Sequence, residues 1–516
     1  MGHDSADSSL KVYKVVESVI REASIEMLIL GELPLSFIES VAWRHFCSKA
    51  KLYKPVSRRT STREIVMLYV KKKASMKKIL GKNKQRLSLT TDIRVSNNTG
   101  DSYMVITAHF VDANWQLKKM ILGFKHVIDH KGGTICKVLL ECLDEWDIRR
   151  VFCITVDNAT ANSTAMNKFK KAMKLIGDDA LILKGEYMHL RCAAHILNLI
   201  VKEGLHKVNA SVAVIRNGIQ FVRSSTNRLK SFDLCCDAGK ISRGSNYVTS
   251  HKMYNETVNI ARNLTALNTN PMSDEGLKKK AIAMIGKLKK YWDPFGEEVE
   301  MNRLVMIATV FDPRKKMKFV ELCFARMYGS GSVQAVLLFE SVIQIMKDLY
   351  DEYSRASLVR KNNGSDSMAY SQSHGTWSQS QEQVNMERTI NPKGHQLEDM
   401  ENLFDEIVKE TGIHKSSNEL DLYLNEAVET PQLLKGIEYD VLSWWKLNSG
   451  KFPVLSLIAK DIFAMQVSSV ASESAFSTSG RVLDTIQKLL NTLHDQEEED
   501  ELMREFDPKF YIHGFE

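Results

Sequence analysis

LSLTTDIRVS (87–96), SYMVITAHFVD (102–112), WQLKKMILGFKHVI (115–128), TICKVLLECLDEW (134–146) and VFCITVD (151–157) decide the fold of this chain. The first three runs are rich in β-branched and aromatic residues and are separated by SNNTGD and by the short turn Asp112 to Asn114, so they predict three successive strands paired as antiparallel hairpins. In the fourth, Ile135, Val138, Leu139 and Cys142 recur at helical spacing. VFCITV is a short apolar run suited to a buried strand, and the segment after Asn158 turns helical again. The order βββαβα predicts an α/β layer built on a mixed sheet.

Outward from this core the chain reads as helical. On the N-terminal side, roughly residues 9–80, Val12, Val15, Val16, Val19 and Ile20 mark one buried helix face, with Pro34 and Pro55 as punctuation. On the other side helices are expected from about Tyr187 to Arg355, and a polar stretch containing SQSHGTWSQSQEQ reads as a linker. The expected units are therefore a helical basic region (1–85), the first part of the core (86–200), a helical insertion (201–355), a linker (356–396), a last helical unit (397–484) and an acidic tail (485–516).

Composition narrows the function classes. The 516 residues are 44% hydrophobic and 26% charged, enough to bury more than one core. No run approaches the ~18 apolar residues of a membrane span, the opening MGHDSADSS has no secretory character, and Ala6 spoils a myristoylation motif. No membrane partner is expected. Eight cysteines without paired CxxC spacing fit a reduced intracellular compartment.

The net charge of +7 is unevenly spread. Lys51, Lys54, Arg58, Arg59, Arg63, Lys71, Lys72, Lys73, Lys77, Lys78, Lys82, Lys84 and Arg86 face the single acid Glu64, whereas DQEEEDE (495–501) carries the opposite bias. A concentrated basic block is the footprint of a polyanion partner, against the plainer reading of a solvated helix face. Lys51, Arg58, Arg59, Arg63, Lys71, Lys72, Lys73, Lys77 and Lys78 are the candidate DNA contacts.

Asp92 lies inside a β-rich run, where Asp is depleted, and Asp157 ends a strand at the edge where α/β sheets place ligand-binding groups. Asp157 with Asn158 also suits a turn or helix cap. Glu473, in SSVASESAFS, is by itself an ordinary surface glutamate. Cys192 and His195 form the CxxH of RCAAH, two ligands short of a zinc site; His195 suits packing or a DNA-side role.

These blocks together resemble plant hAT-superfamily transposase-like proteins of the RICESLEEPER and DAYSLEEPER type. LPLSFIE, SRRTSTREIV, LTTDIRVS, YMVITAHFVD, LLECLDEW, ITVDNATAN, RCAAHILNLIV, VMIATVFDPRKKMKFV and ASESAFSTSGRVLD follow the family's order along nearly the whole chain. The resemblance implies an RNase H-like core interrupted by a helical insertion, then a C-terminal helical hAT dimerisation region. It carries the family's acidic triad over to Asp92, Asp157 and Glu473. Two Mg²⁺ ions held by three such carboxylates suit in-line phosphoryl transfer. It also assigns YDVLSWWKLN to the start of the dimerisation segment, with Trp444, Trp445, Leu455, Ile458, Ile462 and Phe476 as candidate dimer contacts.

Four departures weigh against an autonomous transposase. No BED zinc finger precedes residue 9, a segment bearing an RWNS-type motif is missing near Ser245 to Val248, which truncates the insertion, Arg94 stands where the family has Trp, and the ending past Asp484 diverges. The expected protein is a transposase-derived nuclear DNA-binding protein that self-associates, as a homodimer or with hAT relatives, and needs no certain cofactor. Two alternatives stand beside it: residual Mg²⁺-dependent nicking or strand transfer, and a dimerisation module without DNA contact of its own.

Overall fold

A computed structural model describes residues 16–31, 33–83, 85–96, 100–205, 250–296, 300–365, 418–429, 439–470 and 472, with 221, 224–225 and 228. In the N-terminal part, α1 (Glu17–Leu30), a 3₁₀ turn (Leu35–Glu39), α2 (Val41–Lys49) and α3 (Arg58–Lys82) follow one another. Ser40 and Ser57 cap α2 and α3 by accepting from Trp43 N and Thr60 N, which fixes where each helix starts. Ile25, Leu28 and Ile38 form a small core here, with Leu33, Phe37, Trp43, Ile65 and Leu68 packed against it.

The sheet holds β1 (Leu87–Val95), β2 (Ser102–Val111), β3 (Leu117–Val127), β4 (Val151–Val156) and β5 (His189–Arg191) in the order β3-β2-β1-β4-β5. The first three pair antiparallel, as the hairpin reading requires, and β4 and β5 add in parallel. Alternation along β1 sends Leu87 and Leu89 to one face, where α4 (Gly132–Glu145) and α5 (Thr160–Ile176) pack. Gly132 makes that packing possible, since a Cβ there would lie 2.7 Å from Thr164 Cβ.

The second face is covered by helices from far along the chain: α9 (Leu304–Val310), α10 (Lys316–Tyr328), α11 (Val333–Ser365), α12 (Glu419–Asn425), α13 (Val441–Leu447) and α14 (Pro453–Ala464). Phe152, Cys153 and Leu190 of the sheet share one core with Leu304, Val320, Leu338, Ile458 and Phe463. Between the two parts, α6 (Ala193–Leu205), α7 (Ser250–Thr269) and α8 (Glu275–Trp292) gather around Ile196, Ile200, Leu264, Leu288 and Trp292.

Two expectations about organisation need correction. Residues 201–355 do not form one insertion: α9, α10 and most of α11 are a layer of the core itself, because their apolar faces are matched by the sheet's second face. The linker does not begin at 356 either, since α11 runs on to Ser365. The rest of 366–417 and the tail 485–516 lie outside the described residues.

Candidate active site

Asp92 is the sixth residue of β1, and Asp157 is the first residue after β4. The parallel register pairs Thr90 with Thr155, so two residues further on Asp92, still within β1, and Asp157, just past the end of β4, come side by side on the same face as the two threonines. Both line a cleft of about 100 Å³ together with Thr91, His130 and Asn162.

The turn reading of Asp157 holds as well, whereas the N-cap of α5 is Ala159. Its Oδ1 accepts from Ala159 N at 2.8 Å and from Asn162 Nδ2 at 2.6 Å, which fixes the carboxylate at the entrance of α5. Next to it, both side-chain amide atoms of Asn158 are buried with no hydrogen-bond partner among the described residues. The two carboxylates at the cleft are hard oxygen donors of the kind Mg²⁺ prefers. Among the described residues no group of three His, Cys, Asp or Glu side chains is assembled to hold a metal.

Glu473 and Phe476 lie outside the described residues. The chain up to Ser472 is placed, however, by a series of hydrogen bonds across the sheet. Thr155 Oγ1 donates to Gln466 O at 2.5 Å, Ala193 N to Val467 O at 2.8 Å, and Ser469 N and Oγ to Cys192 Sγ at 3.4 Å each. Ser472 Oγ is then 2.9 Å from Thr90 Oγ1, which also bonds His109 Nε2 at 3.2 Å. Burial, with the Lys119 charge as a smaller cause, pushes His109 down to about 3, so the ring is neutral at physiological pH.

Cys192 is therefore the buried acceptor for Ser469, whereas His195 is exposed in the first turn of α6. RCAAH pins the C-terminal segment through Cys192.

The basic block divides. Lys51, Arg58, Arg59, Arg63, Lys71, Lys72, Lys77 and Lys78 are exposed. Arg58 is partly engaged, its backbone N and Nη2 both donating to Glu39. Lys73 turns inward to Glu145, over the rings of Tyr69 and Trp146. Arg86 is not a surface cation at all: it is 6% exposed, pairs with Glu352 at 2.8 Å and donates its backbone N to Asp461. A polyanion cannot reach it, which corrects the block's inner end.

The candidate dimer contacts also turn inward. Trp445, Leu455, Ile458 and Ile462 are fully buried in the chain's own core, and Trp445 Nε1 donates to Phe311 O at 2.9 Å. Trp444 is half-buried and donates to Glu429 at 3.0 Å. These side chains hold the fold, and of the described ones only Trp444 offers an edge to a partner.

A mixed sheet in this order, with helices on both faces and two carboxylates side by side at its central parallel pair, is the RNase H-like arrangement. Family models match accordingly: the ZBED1 RNase-like domain over residues 90–187, the ZBED1 RNase-like helical domain over 190–254, the hAT-like transposase, RNase-H fold over 251–353, and the hAT family C-terminal dimerisation region over 419–497. The match at 251–353 agrees with α9 to α11 being part of the core.

The chain is 26% identical to the Putative AC transposase of Zea mays over 95% of its own length and 65% of that protein's. It is equally 26% identical to the Putative AC9 transposase of Zea mays, over 95% and 66%. To Zinc finger BED domain-containing protein RICESLEEPER 2 of Oryza sativa subsp. japonica it is 24% identical, over 90% and 71%. It thus spans about two thirds of the length of these relatives. The chain is similar to hAT-superfamily transposase-like proteins, with an RNase-H fold and a match to the hAT dimerisation region.

Sequence reading missed β5, Arg191 on it, and the strap formed by residues 466–470 and Ser472. A three-residue strand is too short for periodicity to mark. The alternation of Ser88, Thr90 and Asp92 with Leu87 and Leu89 in a central strand was an available sign that something polar crosses the second face.

Proposed function

We propose that the chain is a transposase-derived nuclear protein that binds DNA through the exposed face of α3 and self-associates through its C-terminal region. The observation that carries the reading is the pair Asp92 and Asp157 at one cleft, on a chain whose exposed cations concentrate along one long helix. Lys72, Lys77 and Lys78 stand in solvent at the far end of α3, with Lys71 beside them at 4.0 Å from Glu22, and phosphates can approach this exposed face directly.

The retained acid pair favours a second reading, residual metal-dependent nicking or strand transfer. Asp92 and Asp157 would hold Mg²⁺, with Glu473 as third ligand, a role supported by the placement of its neighbour Ser472 on Thr90. Bound Mg²⁺ would supply activation of a water or 3′-hydroxyl and stabilisation of the leaving oxygen. Asn162 and the Ala159 backbone orient Asp157 whether or not catalysis survives.

The test is a DNA titration of the purified chain over a salt series, with and without Mg²⁺, with cleavage followed in parallel. Binding that weakens steeply with salt and no product supports the first reading; product lost in both Asp92→Asn and Asp157→Asn supports the second. A chain that binds no DNA at any salt would falsify both.

A further inference from the structure

The register of β5 pairs Arg191 with Val156, the residue before Asp157. Its guanidinium reaches the first turn of α5, where Nη2 donates to Ser163 Oγ at 3.3 Å, one residue beyond the Asn162 that holds Asp157. Arg191 is half-buried, and among the described residues no carboxylate comes within ion-pair distance of it. Burial is the main influence on it and works against its charge.

Stability does not account for that placement. The amino end of a helix carries partial positive charge, so a cation set against it is disfavoured. A half-buried guanidinium without a counter-ion adds a desolvation cost. A bound anion would relieve both.

The surroundings are built for one. Arg191 lines a cavity of about 200 Å³ with His189, Tyr291, Asn302 and Glu300. The acid among them, Glu300, is engaged by Arg303. His189 Nε2 is buried with no hydrogen-bond partner among the described residues, and burial drives the ring down to about 4, so it is a neutral imidazole able to donate from Nε2. Asn302 is turned away by its bonds to the carbonyls of Tyr187 and His189, which hold β5's edge open as the cavity wall.

We propose that Arg191 and His189 form a phosphate-binding site next to the acid pair, which takes a phosphodiester of the DNA strand lying over Asp157. The inference rests on the DNA-binding reading above and deepens it. A planar guanidinium matches two phosphate oxygens, and the imidazole N–H supplies a third donor from the cavity wall. The site holds the strand in position; it takes no part in bond breaking.

The experiment uses the full chain, a short fluorescein-labelled duplex in EDTA, and a salt series, comparing wild type with Arg191→Gln and Arg191→Lys. Inorganic pyrophosphate is titrated separately, with melting temperature as readout. Arg191→Gln should weaken DNA binding several-fold and flatten the log–log salt slope by about 0.9, the value for one lost phosphate contact, whereas Arg191→Lys keeps the slope. Without ligand, Arg191→Gln should melt no lower than wild type. Unchanged affinity and slope overturn the proposal, as does a lowered melting temperature that alone accounts for the weaker binding. If wild type binds no DNA yet pyrophosphate raises its melting temperature and fails to do so in Arg191→Gln, the phosphate site stands with free phosphate as its ligand, and the DNA-binding function falls.

Discussion

Ser472 Oγ lies 2.9 Å from Thr90 Oγ1 across 382 residues of sequence, and this buried contact fixes the C-terminal segment two residues before Asp92 on the same face of β1. Thr90 is also the partner of His109, so one hydroxyl serves both. Replacing it with Val keeps the shape, strands His109 Nε2 and leaves Ser472 Oγ only the longer 3.5 Å contact to Thr107, a change that costs about 1 to 3 kcal/mol per unsatisfied group. Thr90→Val should therefore lower the urea midpoint clearly. A midpoint equal to wild type would mean that the strap is held elsewhere.

Asp461 gives the fold a dependence on pH. It is completely buried on α14, with Tyr353 OH and Arg86 N both donating to Oδ2, while Oδ1 has no partner among the described residues. Burial is the largest influence and pushes it from 3.8 up to about 6, against the opposing pull of Tyr353 and Arg86. The folded state therefore keeps a proton that the unfolded chain releases. The associated stability is full below pH about 4 and is lost as pH rises through about 6, a swing on the order of 3 kcal/mol. Unfolding measured from pH 4 to 7 should show this decline for wild type relative to Asp461→Asn. Parallel curves for the two would remove Asp461 as its source.

The cations of α3 should separate by position. Lys71, Lys72, Lys77 and Lys78 are exposed, so replacing all four with Gln should weaken binding to every DNA sequence alike and flatten the salt slope, by up to about 0.9 per lost phosphate contact. Lys73 is held by Glu145 and by the ring of Trp146, so Lys73→Gln should change melting more than DNA affinity. Equal effects on affinity from Lys73 and from its exposed neighbours would contradict this division.

Trp445 should be a residue of the fold before it is one of any interface. With its ring fully buried against Phe311 and Tyr423 and its Nε1 bonded to Phe311 O, Trp445→Ala should cost about 3 to 5 kcal/mol. Leu447, two residues on and 85% exposed, should tolerate Ala within about 0.5 kcal/mol. Chemical denaturation of the two variants checks both statements. A Trp445→Ala chain of normal stability that fails to self-associate would return this residue to the interface.

The strands were legible because each alternates or runs apolar between clear turn signals, and the antiparallel hairpins with β4 parallel to β1 followed from that order. Asp92 and Asp157 were legible for the same reason, since register alone brings them together. What stayed hidden depends on contacts that local pattern does not carry. Arg86 looked like one more cation of a basic run, yet Glu352 and Asp461, 266 and 375 residues away, take it inside. Lys73 differs from Lys72 only by which side of α3 meets Glu145. The helices 304–353 read as an insertion because amphipathic periodicity shows that a face is buried but not what buries it.

Arg86 has a further consequence, for the order in which the protein can be made. It emerges from the ribosome ahead of both Glu352 and Asp461, and β1 emerges long before α14 and Ser472 can cover its second face. Domains tend to fold as units during synthesis, and contacts of long sequence separation form slowly. The nascent sheet must therefore wait, one side uncovered, through most of translation. A chaperone that shields apolar strands during synthesis would raise the yield of folded chain, and a transcript ending before the codon for Asp461 would produce a sheet whose second face lacks the end of α14 and the segment that reaches Thr90.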